Sequence, residues 1–360
     1  MKRLLAIPIL LIAFGLPISA SAAEEFTTFE GFTASNQPPA GYQPYKAATV
    51  FNIATTTAKP ISNSQEMVNY SLTLGTPSPG NNTEQPADKH PVFYASTTDP
   101  QYKIKLEEPW GENSIQGVTI RIPKYATGAE GGTDHHMSVI EQDGTEYDFW
   151  KVLEKVDGSP GTLRASWGGK GSYTGDANGV SPTSGATAAG FMLGAGLIRY
   201  PEIAAATATS YETISHGIFL VIKNARKGHI APAVHDDGAG PEEAKVPYEG
   251  QRFALMNTAG TAAMSKSEIE SVTSKPWQRA VLSAFARYGG IDGDKGNSGF
   301  YWATESATMY TAAGLANPWK TYGEEHSLPL FEGHYVYKLI EGSLTLTWWK
   351  EHLKAITVTE

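Results

Sequence analysis

Asp134, His135 and His136 stand together at the head of a stretch, residues 134–150, that ends in Glu146, Tyr147, Asp148, Phe149 and Trp150. An imidazole titrates near neutral pH and serves as a general base. A carboxylate serves as acid, base or nucleophile according to its surroundings. Asp134 and His136 are two apart, so on a strand they share a face. With His216 from a neighbouring strand they form a candidate divalent-ion site. The chain has no His-Glu-x-x-His spacing and no calcium-loop glutamate, so no metal and no cofactor is assigned. The acidic run 292–297 reads as a solvated turn.

Further along lie Arg199, Glu202, His216 and Arg252. Two carboxylates across a scissile bond make a glycosidase, and Asp148 with Glu202 is the pair to name. A polysaccharide lyase needs a base, an acid and a cation to neutralise the substrate carboxylate. His136 or His216, Tyr147 and Arg252 would fill those roles. Trp150 and Trp167, with Arg199, are the candidate substrate-binding residues, and Trp302 reads as a further exposed aromatic. Sugars stack their apolar faces on such rings. The competing reading of each carboxylate is an anchor for loops. The reading favoured is therefore a polysaccharide-cleaving enzyme, hydrolase or lyase. The alternative is a non-catalytic carbohydrate-binding or surface-adhesion module, which needs only the aromatic platform. No Gly-x-Ser-x-Gly elbow or Walker loop occurs.

The elements that must position these groups belong to an exported chain. Lys2 and Arg3 precede an apolar run, and Ala20-Ser21-Ala22 supplies a cleavage site, so residues 1–22 read as a signal peptide. The mature protein is expected to be secreted or periplasmic. The 360 residues contain no cysteine, so burial, not disulfides, must hold the fold. A net charge of -9 argues against nucleic acid or an anionic membrane as partner. A polysaccharide is the expected partner.

Residues 23–46 read as an extended arm and 47–360 as a single β-rich domain, with a long Gly/Ser/Thr-rich insertion near 158–196. Strands are expected near 47–60, 66–74, 92–95, 102–106, 117–122 and 251–256. The apolar run 215–223 reads as a central strand covered on both faces. Residues 75–90 and 290–299 read as loops, and Asn81-Asn82-Thr83 fits a glycosylation sequon. Trp277, Val281, Ala284, Phe285 and Tyr288 fall on one helical face, with Ser274 as cap and Gly289 as stop. A short helix is expected near 265–272, and the tail mixes strand and helix signals. The fold class is mainly β, an antiparallel sandwich or jelly roll with one or two peripheral helices.

Asp143-Gly144 between two β-like runs predicts a hairpin. A two-residue loop pairs Val139 with Asp148 and Ile140 with Tyr147. His136 then shares a face with Tyr147, and Asp148 takes the opposite one with His135. An odd loop would reverse that assignment.

The ordered pieces Asp-x-His with Val-Ile and an aromatic-acid pair (134–150), Gly-Leu-Ile-Arg-Tyr-x-Glu (196–202), Ile-x-His-Gly (214–217), Gly-x-Arg-Phe (250–253) and Arg-Tyr-Gly with Asp and Gly nearby (287–296) resemble a family of uncharacterised exported bacterial proteins. That family usually carries an acid where this chain has Pro201, and Gly-Leu-Arg where it has Gly250-Gln251-Arg252. The resemblance implies a shared exported β-rich domain and supplies no reaction.

Overall fold

The computed structural model describes residues 28–75, 77–78, 89–154, 156–174, 178–181, 185–296 and 299–357. The expected signal peptide, the first residues of the expected arm and the 81–83 sequon match lie outside the described residues. In chain order the strands are β1 (Lys59–Pro60), β2 (Pro77–Ser78), β3 (Val92–Tyr94), β4 (Gln101–Leu106), β5 (Thr119–Arg121), β6 (Met137–Ile140), β7 (Thr145–Val152), β8 (Gly161–Ser172), β9 (Ile218–Ile222), β10 (Arg226–His229), β11 (Tyr248–Glu249), β12 (Arg252–Leu255), β13 (Gly290–Asp294), β14 (Phe300–Trp302), β15 (Leu330–Phe331), β16 (His334–Tyr335) and β17 (Leu353–Thr357). The helices are α1 (Ser64–Leu74), α2 (Tyr200–Ala204), α3 (Lys266–Val272), α4 (Pro276–Arg287), α5 (Thr308–Ala312), α6 (Pro318–Glu325) and α7 (Leu346–His352).

Two large sheets dominate, and the fold is mainly β. The first runs β3-β6-β7-β8-β4-β5 and the second β1-β17-β12-β13-β9-β14-β2. Both are mixed. In the first, β3 and β6 are parallel, as are β4 and β8; in the second, β9 and β13 are parallel, as are β2 and β14. The expected all-antiparallel pairing is therefore corrected, and seven α-helices among the described residues replace the one or two helices expected.

β9 shows why its run is almost wholly apolar. Phe219 belongs to the core shared with the six-stranded sheet, whereas Ile218, Leu220 and Ile222 pack in a second core with Val281 and Phe285 of α4. A strand covered on both faces has no side left for polar residues. α4 starts at Pro276 rather than at a Ser274 cap, and its apolar face is the one the sequence spacing defines. Truncating the fully buried Phe285 to Ala would cost about 3–5 kcal/mol.

Five segments depart from the sequence reading. Residues 47–60, expected as a strand, are turns and a short 3-10 helix (Thr55–Thr57) that end in the two-residue β1. Residues 66–74 form α1, because Met67, Val68, Ser71 and Leu72 make a buried helical face that also mimics strand alternation. Within the supposed insertion, β8 is a twelve-residue inner strand of the six-stranded sheet. The supposed loop at 290–299 begins with β13, an inner strand of the other sheet. The arm is anchored, since Phe29, Tyr42 and Tyr45 are buried in the shared core.

Candidate functional site

The β6–β7 hairpin sets the geometry. Gly144 N–H donates to Glu141 O at 2.9 Å, and Glu141 N–H donates to Thr145 O at 2.9 Å. This makes a three-residue loop in which Gly144, at φ +81, takes the left-handed position that glycine adopts without a Cβ clash. The loop is odd, so the pairs are Ser138 with Asp148 and Val139 with Tyr147. The two-residue loop and its pairing are thus corrected. His136 and Ser138 share a face with Glu146, Asp148 and Trp150, while Tyr147 and Phe149 take the other.

The face carrying His136 looks toward the second sheet. His136 meets His90 edge-on at 4.9 Å between ring centroids, and His90 in turn meets Phe219 at 6.1 Å. Burial, followed by the neighbouring His136, holds His90 well below the usual imidazole range. His90 is therefore a neutral ring at physiological pH.

Glu146 and Asp148 are fully buried and tied to their surroundings by hydrogen bonds. Tyr45 donates its hydroxyl to Glu146 Oε2 at 2.7 Å, and Ser138 donates to Asp148 Oδ1 at 2.6 Å. Two successive backbone N–H groups complete the network. Leu193 donates to Asp148 Oδ2 at 2.6 Å and Gly194 to Glu146 Oε1 at 2.9 Å. Burial pushes Asp148 up to about 7; burial and then the Asp148 charge push Glu146 well above the carboxylate range. Two acids this close do not both ionise at neutral pH. The pair staples the segment around residue 193 to β7.

Glu202 sits in a separate network with Arg199 and His216. Arg199 Nη2 donates to Glu202 Oε1 at 2.7 Å, and its backbone N–H donates to Oε2 at 2.8 Å. His216 Nε2 lies 3.2 Å from the same Oε1. Burial would raise the Glu202 carboxyl, but Arg199 and then His216 outweigh it and hold it below its usual value. Arg199 also donates to the carbonyls of Pro38, Pro39 and Tyr42, which ties down the arm. All three side chains are buried.

The structure thus joins Arg199, Glu202 and His216, but not as an open site. It does not join Asp148 to Glu202 across a cleft, since each is fully buried and engaged in its own network. His216 is committed to Glu202, whereas Asp134 accepts the indole N–H of Trp150 at 3.1 Å. Among the described residues no group of three or more His, Asp or Glu side chains is arranged to hold a metal ion. Tyr147 lies on the face away from His136, and burial, then Glu141 and Asp143, push its hydroxyl up to about 12. Arg252 stands apart on β12 of the other sheet. Trp302 is buried in the core around α4, not exposed.

Trp150 and Trp167 do come together, paired across β7 and β8. Trp110 joins them, with ring centroids 5.5 Å from Trp150 and 5.4 Å from Trp167. Trp110 is 58% exposed. Lys151 Nζ lies 4.2 Å from the centroid of the Trp150 ring, a cation–π contact. Comparison with protein-family models, curated proteins and solved structures yields no match.

Sequence reasoning missed Trp110, His90, Tyr45, Ser138 and the Glu305–Tyr310 pair. Trp110 carried a signal, being a lone large aromatic in a polar, glycine-containing loop. Ser138 carried one too, two residues beyond His136 on the strand that follows it. Tyr310 donates to Glu305, and burial pushes that carboxyl up to about 7. Nothing local in sequence marks that pair. Among the described residues no helix is long and apolar enough to cross a membrane.

Proposed function

We propose that the protein is an exported carbohydrate-binding protein, whose ligand lies against Trp110, Trp150 and Trp167. The observation that carries this reading is a three-tryptophan cluster on the six-stranded sheet, in which Trp110 is exposed and Trp150 and Trp167 are half-buried. Exposing so large a ring as Trp110 forgoes its burial free energy, about 1.5–3 kcal/mol for a large apolar side chain, so a contiguous cluster of this kind marks an interaction surface. Asp134 and Lys151, both in contact with Trp150, supply polar groups at its border for sugar hydroxyls. The signal-like residues 1–22 support the extracellular setting. We read the two sheets, joined by one apolar core, as the layers of a sandwich that presents this platform.

Binding is preferred to cleavage because the carboxylates with the right chemistry are engaged in internal hydrogen bonds, while Trp110 is exposed and stands against the half-buried Trp150 and Trp167. The test is retention of the mature protein on a panel of insoluble polysaccharides, with reducing ends and unsaturated products measured in the same samples. Retention that falls at least tenfold in Trp110→Ala, with no product formed, supports the reading. Product formation, or retention indifferent to Trp110→Ala, overturns it.

A further inference from the structure

A second site lies away from the tryptophans, at the seven-stranded sheet. A cleft of about 390 Å³ opens there, bounded by residues 46–53, the turn 230–232, Gly250, β12 and the end of β17. That volume falls within the range of small-molecule sites. Arg252, only 5% exposed, lines it. Its Nε donates to Tyr288 O at 2.8 Å, and its Nη2 donates to the carbonyls of Tyr288 and Ile53. None of these bonds uses Nη1, and no described carboxylate pairs with the guanidinium.

A buried cation without an acid is costly, and carbonyl dipoles offset only part of that cost. Burial lowers the Arg252 pKa to about 10, so the charge persists at neutral pH. Lys46 adds a second positive charge to the lining, and none of the lining residues is an acid. This is notable in a chain with 37 acidic and 28 basic residues. The remaining walls are largely aliphatic, from Val50, Ile53, Ile230 and Ile356.

We propose that this cleft binds an amphiphilic monocarboxylate, its carboxylate on Arg252 and Lys46 and its apolar body along the aliphatic walls. Phosphate fits less well. Its three or four oxygens require several donors, whereas the Thr49 hydroxyl is already committed to Asn178 O and the walls beyond Asn178 and Thr357 are aliphatic.

The experiment is calorimetric titration of the mature protein at pH 7 with sodium octanoate, with 1-octanol and with inorganic phosphate. Octanoate should bind with one-to-one stoichiometry, at least tenfold more tightly than octanol, and phosphate should give no heat. Arg252→Gln should abolish binding but removes structural hydrogen bonds. The exposed positions therefore carry the decision: Lys46→Glu should weaken octanoate about tenfold, and Ile230→Trp should block it, both with unchanged melting temperature. Polysaccharide retention should be intact in both variants. Absence of octanoate binding, equal affinity for octanol or phosphate, or binding indifferent to Lys46→Glu and Ile230→Trp overturns the proposal.

Discussion

Ser138 stands directly across the β6–β7 ladder from Asp148 and donates its hydroxyl to the Asp148 carboxylate at 2.6 Å. This one contact records the parity of the hairpin loop. It also removes Asp148 from the surface chemistry that its sequence neighbours suggest. Ser138→Ala leaves a buried acceptor oxygen with one donor fewer, which should cost about 1–3 kcal/mol. Urea unfolding should show a lower midpoint with an unchanged slope, and polysaccharide retention should survive. A loss of retention in a fully folded Ser138→Ala protein would place Asp148 at the ligand after all.

The buried acids make stability depend on pH in an unusual direction. Burial first, with other causes behind it, lifts Asp148, Asp294 and Glu305 each to about 7. Unfolded carboxyls titrate near 4. Between roughly pH 4 and pH 7 the folded chain therefore holds more protons than the unfolded chain, and stability falls as pH rises through that window. Glu202 and His90, both held below their usual values, pull the other way, Glu202 at the acidic end and His90 up to the usual imidazole range, but the raised carboxyls outnumber them. Melting followed by circular dichroism should show a midpoint lower at pH 8 than at pH 5 by roughly 5 °C or more. Asp148→Asn should flatten the profile. A midpoint that climbs from pH 5 to pH 8 would contradict the buried-acid account.

Arg199 and Glu202 should behave as a coupled pair. Glu202→Leu strands a buried guanidinium and should cost about 3–5 kcal/mol. Arg199→Met strands the carboxylate and also the carbonyls of Pro38, Pro39 and Tyr42. The double variant should cost clearly less than the sum of the two, yet should not return to wild type, because those carbonyls stay unsatisfied. A double-mutant cycle from chemical denaturation measures this. Strict additivity would mean that the pair is not an energetic unit.

How much of this was legible in sequence depended on whether a side-chain pattern had one meaning. The apolar run of β9 and the 3.6-residue spacing of α4 each admit a single element, and both appear where expected. Residues 66–74 fit two periods, and the structure chose helix. β8 was hidden by its glycines, which look like loop but answer to close packing. A Cβ on Gly168 would fall 2.3 Å from Asp148 O, and one on Gly171 would fall 3.0 Å from Met192 Sδ. The candidate site was legible in residue type but not in partnership. Glu202 and Asp148 reach their partners through contacts 14 and 45 residues away in sequence, and no local spacing encodes those.

Gly194 offers a sharper test of the staple between the two acids and the main chain. A Cβ at this position would lie 2.7 Å from Glu146 Oε1, 2.7 Å from the Tyr173 ring and 3.0 Å from the Tyr45 hydroxyl. The Tyr173 ring and the Tyr45 hydroxyl are buried and cannot retreat freely. Gly194→Ala should therefore destabilise by about 1–3 kcal/mol, the usual cost of overpacking. Because Gly194 N–H also serves Glu146, the strain should reach that carboxyl, and hydrogen exchange at Leu193 and Gly194 should accelerate more than exchange in α4. Uniform acceleration across both segments would indicate only global destabilisation, without a local staple.

The tryptophan platform predicts an optical signal. Trp110 is largely exposed, so its emission should lie to the red of the buried Trp302, Trp319 and Trp349. A sugar ring stacked on it would exclude water and shift the emission to the blue. Trp110→Phe keeps a stacking face and should retain part of the affinity, whereas Trp110→Ala should lose tenfold or more, about 1.4 kcal/mol. Trp150→Phe keeps the ring but removes the indole N–H that holds Asp134, so it should weaken binding through the misplaced carboxylate. Fluorescence titration with soluble oligosaccharides separates these effects. An unshifted spectrum at saturating sugar would mean that the ligand does not touch Trp110.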